Sequence, residues 1–142
     1  MTESVSLDFD LKSPIDRVWH ALTDAATLSR WTFFDTEDFQ PVVGHRCSFR
    51  GKESTGWTAV IECEVLEVDQ PTRLSYTWTA PGWGGGVSAT RVTWTLTAAG
   101  EDATRLHLEH SGFDSAATRE IGGAKYGWTA QIGQLERLLA NG

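Results

Sequence analysis

Trp128, Ile132, Leu135 and Leu139 fall at successive spacings of 4, 3 and 4 residues near the end of the chain. That spacing draws one apolar stripe along a helix. It is the longest such stripe in the sequence, and most of what precedes it has the period of strands. Val5, Leu7, Phe9 and Leu11 alternate with polar residues, as do Leu74, Tyr76 and Trp78, then Val92, Trp94 and Leu96. Period-two patterns of this kind mark strands with one buried face. A sheet that is apolar on one side must be covered. Here the C-terminal helix has to be the cover.

Between the first strand and the rest come two short helical patterns. Ser13-Pro14 offers a capping hydroxyl and a residue suited to a first turn, and Asp16 places negative charge there. Ile15, Val18, Trp19 and Leu22 then have helical spacing. Asp24 is a second cap, opening a helix with Ala25, Leu28 and Trp31. From Phe33 to Gly112 the chain reads as strands and turns. The apolar phase slips near Val65-Leu66, which predicts a bulge. Asp69-Gln70-Pro71 and Gly100-Glu101-Asp102 read as turns. Asp114 is placed to cap the last helix, whose firm part should begin near Ala124 because Gly122-Gly123 weakens what lies before it. Strands joined by short turns pair antiparallel. The expectation is one α+β domain over residues 1–142: a curved antiparallel sheet of six or seven strands wrapped around the C-terminal helix. One helix cannot fill a wide curved sheet, so a hydrophobic pocket is expected between them.

Charge and composition narrow the function. The net charge is −7 and the lysines and arginines are scattered, against the basic face that nucleic acid requires. No apolar run approaches the roughly 20 residues that cross a bilayer, and Met1-Thr2-Glu3-Ser4 does not open a signal peptide. A cytoplasmic location and no membrane insertion are expected. Cys47 and Cys63 read as buried free thiols. No two histidines stand at metal-binding spacing, so neither a metal nor a cofactor is implied. Asp35, Glu37 and Asp38 read as a solvated loop.

Four stretches, taken together, resemble a known family. They are 13–24 continuing to Leu28-Ser29-Arg30-Trp31, the run from Glu64 to Trp78, the run from Thr104 to Phe113, and Gly127-Trp128 with Leu135 and Leu138. They are similar to the helix-grip superfamily of START and Bet v 1-like proteins (SRPBCC), and within it to the branch named for the activator of Hsp90 ATPase homologue (AHSA1-like). Two positions depart from that pattern: Thr32 stands where a second tryptophan is common, and Ile132 where leucine is usual. The resemblance implies the helix-grip fold. It leaves function open, because its namesake assists Hsp90 while the wider superfamily holds lipid and sterol carriers, hormone receptors and polyketide cyclases.

The residues themselves point to binding. Seven tryptophans are many for 142 residues, and large rings suit an aromatic-lined cavity. Tyr76, Trp78 and Trp94 on strand faces, with Trp128 and Ile132 on the covering helix, are candidate pocket walls. Trp83, in a glycine-rich loop from Pro81 to Gly86, is a candidate lid. His110 shares a face with Leu106 and Leu108, and there an imidazole can meet a polar ligand group or move a proton. His107 and Glu109 face the other way. Arg73 and Arg91 are placed at strand starts, where an arginine could clamp a carboxylate. The leading expectation is a binder of a small apolar or amphipathic molecule. A cyclase- or hydrolase-type enzyme with His110 as acid or base is the alternative. A co-chaperone or other protein-binding role ranks third, since no separate partner domain is evident.

Overall fold

The computed structural model of the chain describes residues 2–32, 34–36, 38–51, 60–80, 88–114 and 118–141. The elements follow the expected order: β1 (Thr2–Leu11), α1 (Ile15–Thr23), α2 (Ala25–Trp31), β2 (Phe34–Asp35), β3 (Arg46–Gly51), β4 (Val60–Asp69), β5 (Arg73–Ala80), β6 (Ser88–Ala98), β7 (Thr104–Asp114) and α3 (Thr118–Asn141). The seven strands form one antiparallel sheet in the order β1-β7-β6-β5-β4-β3-β2. It curls into a half-barrel around α3, the helix-grip arrangement expected.

Parity decides which side chains face the helix. Val5, Cys47, Phe49, Ile61, Leu74, Tyr76, Val92, Trp94, Leu106 and Leu108 are all buried on the inner side. Outer positions alternate with them and are mostly polar, Val60 being an exposed exception. Ile132 and Leu135 of α3 are fully enclosed. The axis of α3 runs closest to β1 and β7, and α1 and α2 pack beside it.

The bulge falls where the slip in phase puts it. Pairing passes from Val65↔Tyr76 to Glu67↔Ser75. The extra residue lets Val65 face inward and Glu67 outward, although two positions apart would otherwise share a face.

Three local expectations need correction. Asp24 caps α2 through Thr27 N–H, but Ser13 does not cap α1. Its hydroxyl is buried without a partner among the described residues. The residue is held by its carbonyl instead, which accepts from Thr104 Oγ1 at 2.8 Å. Asp114 ends β7 rather than capping α3. The helix begins at Thr118, ahead of Ala124, with Gly122 inside it. Glycine lowers intrinsic helicity by about 1 kcal/mol, but in folded proteins packing of an amphipathic face supplies most helical stability.

Because Leu135 is completely enclosed and Tyr126 on the same helix is 77% exposed, their truncation should separate cleanly. Leu135→Ala is expected to lower unfolding stability by about 3 kcal/mol, and Tyr126→Ala by less than about 0.5 kcal/mol, in urea denaturation.

Candidate functional site

The antiparallel register brings Phe49 of β3, Tyr76 and Trp78 of β5, Thr90 and Trp94 of β6 and His110 of β7 onto one inner surface. Trp128 enters from α3. Its ring centroid lies 5.4 Å from that of Trp78 and 5.4 Å from that of Trp94. Phe34 and Phe49 stand 5.5 and 5.6 Å from Trp78. Phe39 stands 5.8 Å from Tyr76, and Trp31 of α2 stands 6.3 Å from Trp94. Many of these contacts are edge-to-face, the arrangement in which the positive rim of one ring meets the negative face of another.

Five of the seven expected ligand contacts, Tyr76, Trp78, Trp94, His110 and Trp128, therefore belong to one connected aromatic wall. Ile132 is enclosed on α3, one turn beyond Trp128. Trp83 lies outside the described residues, as does Glu37. The wall also contains Phe34, Phe39 and Phe49, which pattern reading did not single out. Alternation of Cys47 and Phe49 in β3 carried a signal for Phe49. Phe34 and Phe39 stand beside acidic residues, and nothing local marks them as inward.

His110 joins α3 to the sheet. It is 1% exposed. Trp128 Nε1–H donates to its Nδ1 at 3.0 Å. An indole N–H can only donate, so Nδ1 carries the lone pair and the neutral ring holds its proton on Nε2. Nε2 lies 2.6 Å from Thr90 Oγ1, and that hydroxyl donates to the Trp78 carbonyl at 2.9 Å. The chain of donors thus runs from α3 through β7 and β6 to β5. Burial pushes the imidazole pKa down to about 3, because the charged form would lose its hydration. A neighbouring bond, from Trp94 Nε1–H to the Tyr76 hydroxyl at 3.0 Å, ties β6 to β5.

The arginines do not reach this wall. Arg91 stands inside β6 rather than at its start, and both guanidinium groups lie on the outer face. Arg73 Nε is 3.0 Å from one oxygen of Glu67, and Arg91 donates to the other oxygen and to Ser75 Oγ. The hydrogen bond from Arg73 is the main cause holding the Glu67 carboxyl below its usual range. The bulge at Val65–Glu67 is what delivers this carboxylate to them. His107 and Glu109 face outward as expected, with His107 Nδ1 2.8 Å from Asp8.

A cleft of about 410 Å³ opens on the outer side of β3, β4 and β5, lined by Arg46, Ser48, Glu62, Glu64, Thr77 and Thr79 among others. None of the expected ligand contacts borders it. Cys47 and Cys63 are free and buried, directly opposite one another in β3 and β4. Burial pushes the Cys63 thiol up, while a hydrogen bond from it lowers that of Cys47. Among the described residues, no three His, Cys, Asp or Glu side chains gather as metal ligands, and no helix is long and apolar enough to cross a membrane.

The depressed His110 pKa fixes a direction for acid sensitivity. An unfolded histidine takes up a proton as the pH falls through 6.5, whereas the buried ring resists until about 3. Its contribution is whole above 6.5 and is lost as the pH drops. Between pH 7 and pH 5 this residue alone should remove about 2 kcal/mol of stability. His110→Gln can still accept from Trp128 and donate to Thr90. It is expected to flatten that slope by a similar amount, as read in urea titrations at the two pH values. An unchanged slope would place the acid sensitivity elsewhere.

Comparison with known proteins agrees with this architecture. Protein MLL2253 from Mesorhizobium loti is 35% identical, with a TM-score of 0.88 and 98% of each chain covered. DynU16, from the dynemicin biosynthetic locus, is 29% identical with a TM-score of 0.77; the match covers 96% of this chain and 47% of that one, so this chain spans about half its length. CalU16 from Micromonospora echinospora shares the fold at 23% identity and a TM-score of 0.77, with 97% and 76% covered. A search of curated proteins found no match. Residues 12–140 match the model of the activator of Hsp90 ATPase homolog 1-like proteins, and the chain belongs to that family.

Proposed function

We propose that this protein binds a small apolar or amphipathic molecule against the aromatic wall between the sheet and α3. One observation carries the reading. The axis of α3 lies over β1 and β7, so the inner face of β3, β4 and β5 is covered by rings rather than by a helix. A face covered by a helix cannot open without moving backbone. A face covered by Phe39, Phe49, Tyr76 and Trp78 can admit a flat molecule by rotation of side chains, and aromatic surface then replaces aromatic surface.

Topology supports an entrance at the same end. β3 ends at Gly51, β5 at Ala80 and β7 at Asp114, while β4 and β6 begin at Val60 and Ser88. Antiparallel pairing puts all of these termini at one end of the half-barrel, beside Trp78 and His110. Binding sites in folds of this kind favour such mouths.

The hydrogen bonds favour binding over acid–base chemistry at His110. Both ring nitrogens already serve the chain from Trp128 to Trp78. A general base needs a nitrogen within reach of the proton it takes. The protein-partner reading rests on the family's name alone.

Aminoanthracene, an uncharged ring system whose emission rises in apolar surroundings, tests the proposal. Saturable binding near one molecule per chain is expected, weakened tenfold or more by Trp78→Leu and unaffected by Thr95→Ala on the outer face. Emission that never saturates, or that ignores Trp78→Leu, would refute the site.

A further inference from the structure

Cys47 of β3 and Cys63 of β4 stand directly opposite one another in the antiparallel register, and both are free thiols. Residues paired in this way share a face of the sheet, with Cα atoms about 4.5–5.5 Å apart. That separation lies within the roughly 4.4–6.8 Å that a disulfide spans. The thiols are already paired, since Cys63 Sγ–H donates to Cys47 Sγ. Neither sulfur takes part in the hydrogen-bond chain through His110.

A buried thiol is ordinarily inert, because burial favours its neutral form. This pair is unequal. The hydrogen bond from Cys63 is the main cause holding the Cys47 thiol below its ordinary range, while burial pushes that of Cys63 up. A more nucleophilic sulfur beside a second thiol that can resolve it is the arrangement of a redox-sensitive pair. Position supplies access. Among the described residues, β3 is paired on its far side only at Arg50 and Gly51, by β2, so Cys47 stands at an edge of the sheet. Both cysteines also border the outer cleft. A molecule little larger than water has a short path to them.

Independently of the ligand proposal, we propose that Cys47 and Cys63 form a reversible oxidation site, at which a hydroperoxide joins them in a cross-strand disulfide that fastens β3 to β4. The Cys47 sulfur attacks one peroxide oxygen. An S–O bond forms as the O–O bond breaks, and the thiol proton leaves with the departing oxygen as water or an alcohol. The Cys63 sulfur then attacks the Cys47 sulfenic acid. The S–S bond forms, the S–O bond breaks, and hydroxide departs with the Cys63 proton as water. The two thiols lose two electrons and two protons in all, and the peroxide takes both. A dithiol reductant reverses the step by exchange. Over residues 46–49 the described strand partner of β3 is β4, so the bond secures the strand that carries Phe49. It also closes the loop between positions 47 and 63, which removes freedom from the unfolded chain.

The test treats the reduced chain with a few equivalents of hydrogen peroxide or cumene hydroperoxide. Intact mass, non-reducing peptide mapping and thermal unfolding read the outcome. The expected product has lost about 2 Da per chain, carries a single link between Cys47 and Cys63, and returns to the starting mass with dithiothreitol. Its rate of formation should not depend on protein concentration. Its Tm should stand roughly 5–10 °C above that of the reduced chain. Cys63→Ser, which lacks the resolving thiol, should instead be trapped by dimedone at position 47. The peptide map of the unaltered chain decides even if that variant does not fold. Thiols that react only once urea has unfolded the chain would overturn the site, as would links between chains or separate sulfinic acids. A disulfide that forms but lowers the Tm would overturn the fastening of β3.

Discussion

The indole N–H of Trp128 resting on Nδ1 of His110 is the contact on which the interior depends. Apolar packing alone does not fix how a helix lies across a sheet, because leucine and isoleucine can slide past their neighbours at modest cost. A hydrogen bond buried at 1% exposure cannot be moved in that way, since its rupture leaves both partners dry and unpaired. The chain continues through Thr90 to the Trp78 carbonyl, so one set of bonds registers α3 against β7, β6 and β5 together. It also holds Trp128 upright between Trp78 and Trp94. The aromatic wall is therefore aligned by polar bonds, although most of its surface is apolar.

Much of this was legible because two periods dominate the sequence. Parity placed Tyr76, Trp78, Trp94 and His110 on one side of the sheet, and the helical stripe placed Trp128 and Ile132 opposite them. The slip at Val65-Leu66 marked the bulge. What parity could not say is what a bulge does to residues beyond it. Glu67 is turned outward only because the register shifts, and that outward carboxylate is what engages Arg73 and Arg91. Read without it, the two arginines seemed available for a ligand. Phe34 and Phe39 escaped for a different reason. They belong to a stretch whose direction is set by pairing with β3 and by distant rings, not by a local repeat. The start of α3 was placed too late because glycine propensity is a local quantity, while the helix is stabilised by the sheet it crosses.

The two sides of the sheet divide the work. Outside, charge is balanced between side chains that water still reaches: Glu67 with Arg73 and Arg91, and Asp10 with Arg105. Exposed pairs of this sort contribute little each, but they keep charges away from the interior. Inside, polar groups are few and nearly all are neutral donors or acceptors meeting one another. This separation leaves the cleft on the outer face lined by charged and hydroxyl side chains and the inner wall by rings.

Burial and availability must also be kept apart within the wall. His110 attracted notice as an inward histidine, yet it is enclosed: burial lowers its pKa, and its two ring nitrogens stand against Trp128 and Thr90.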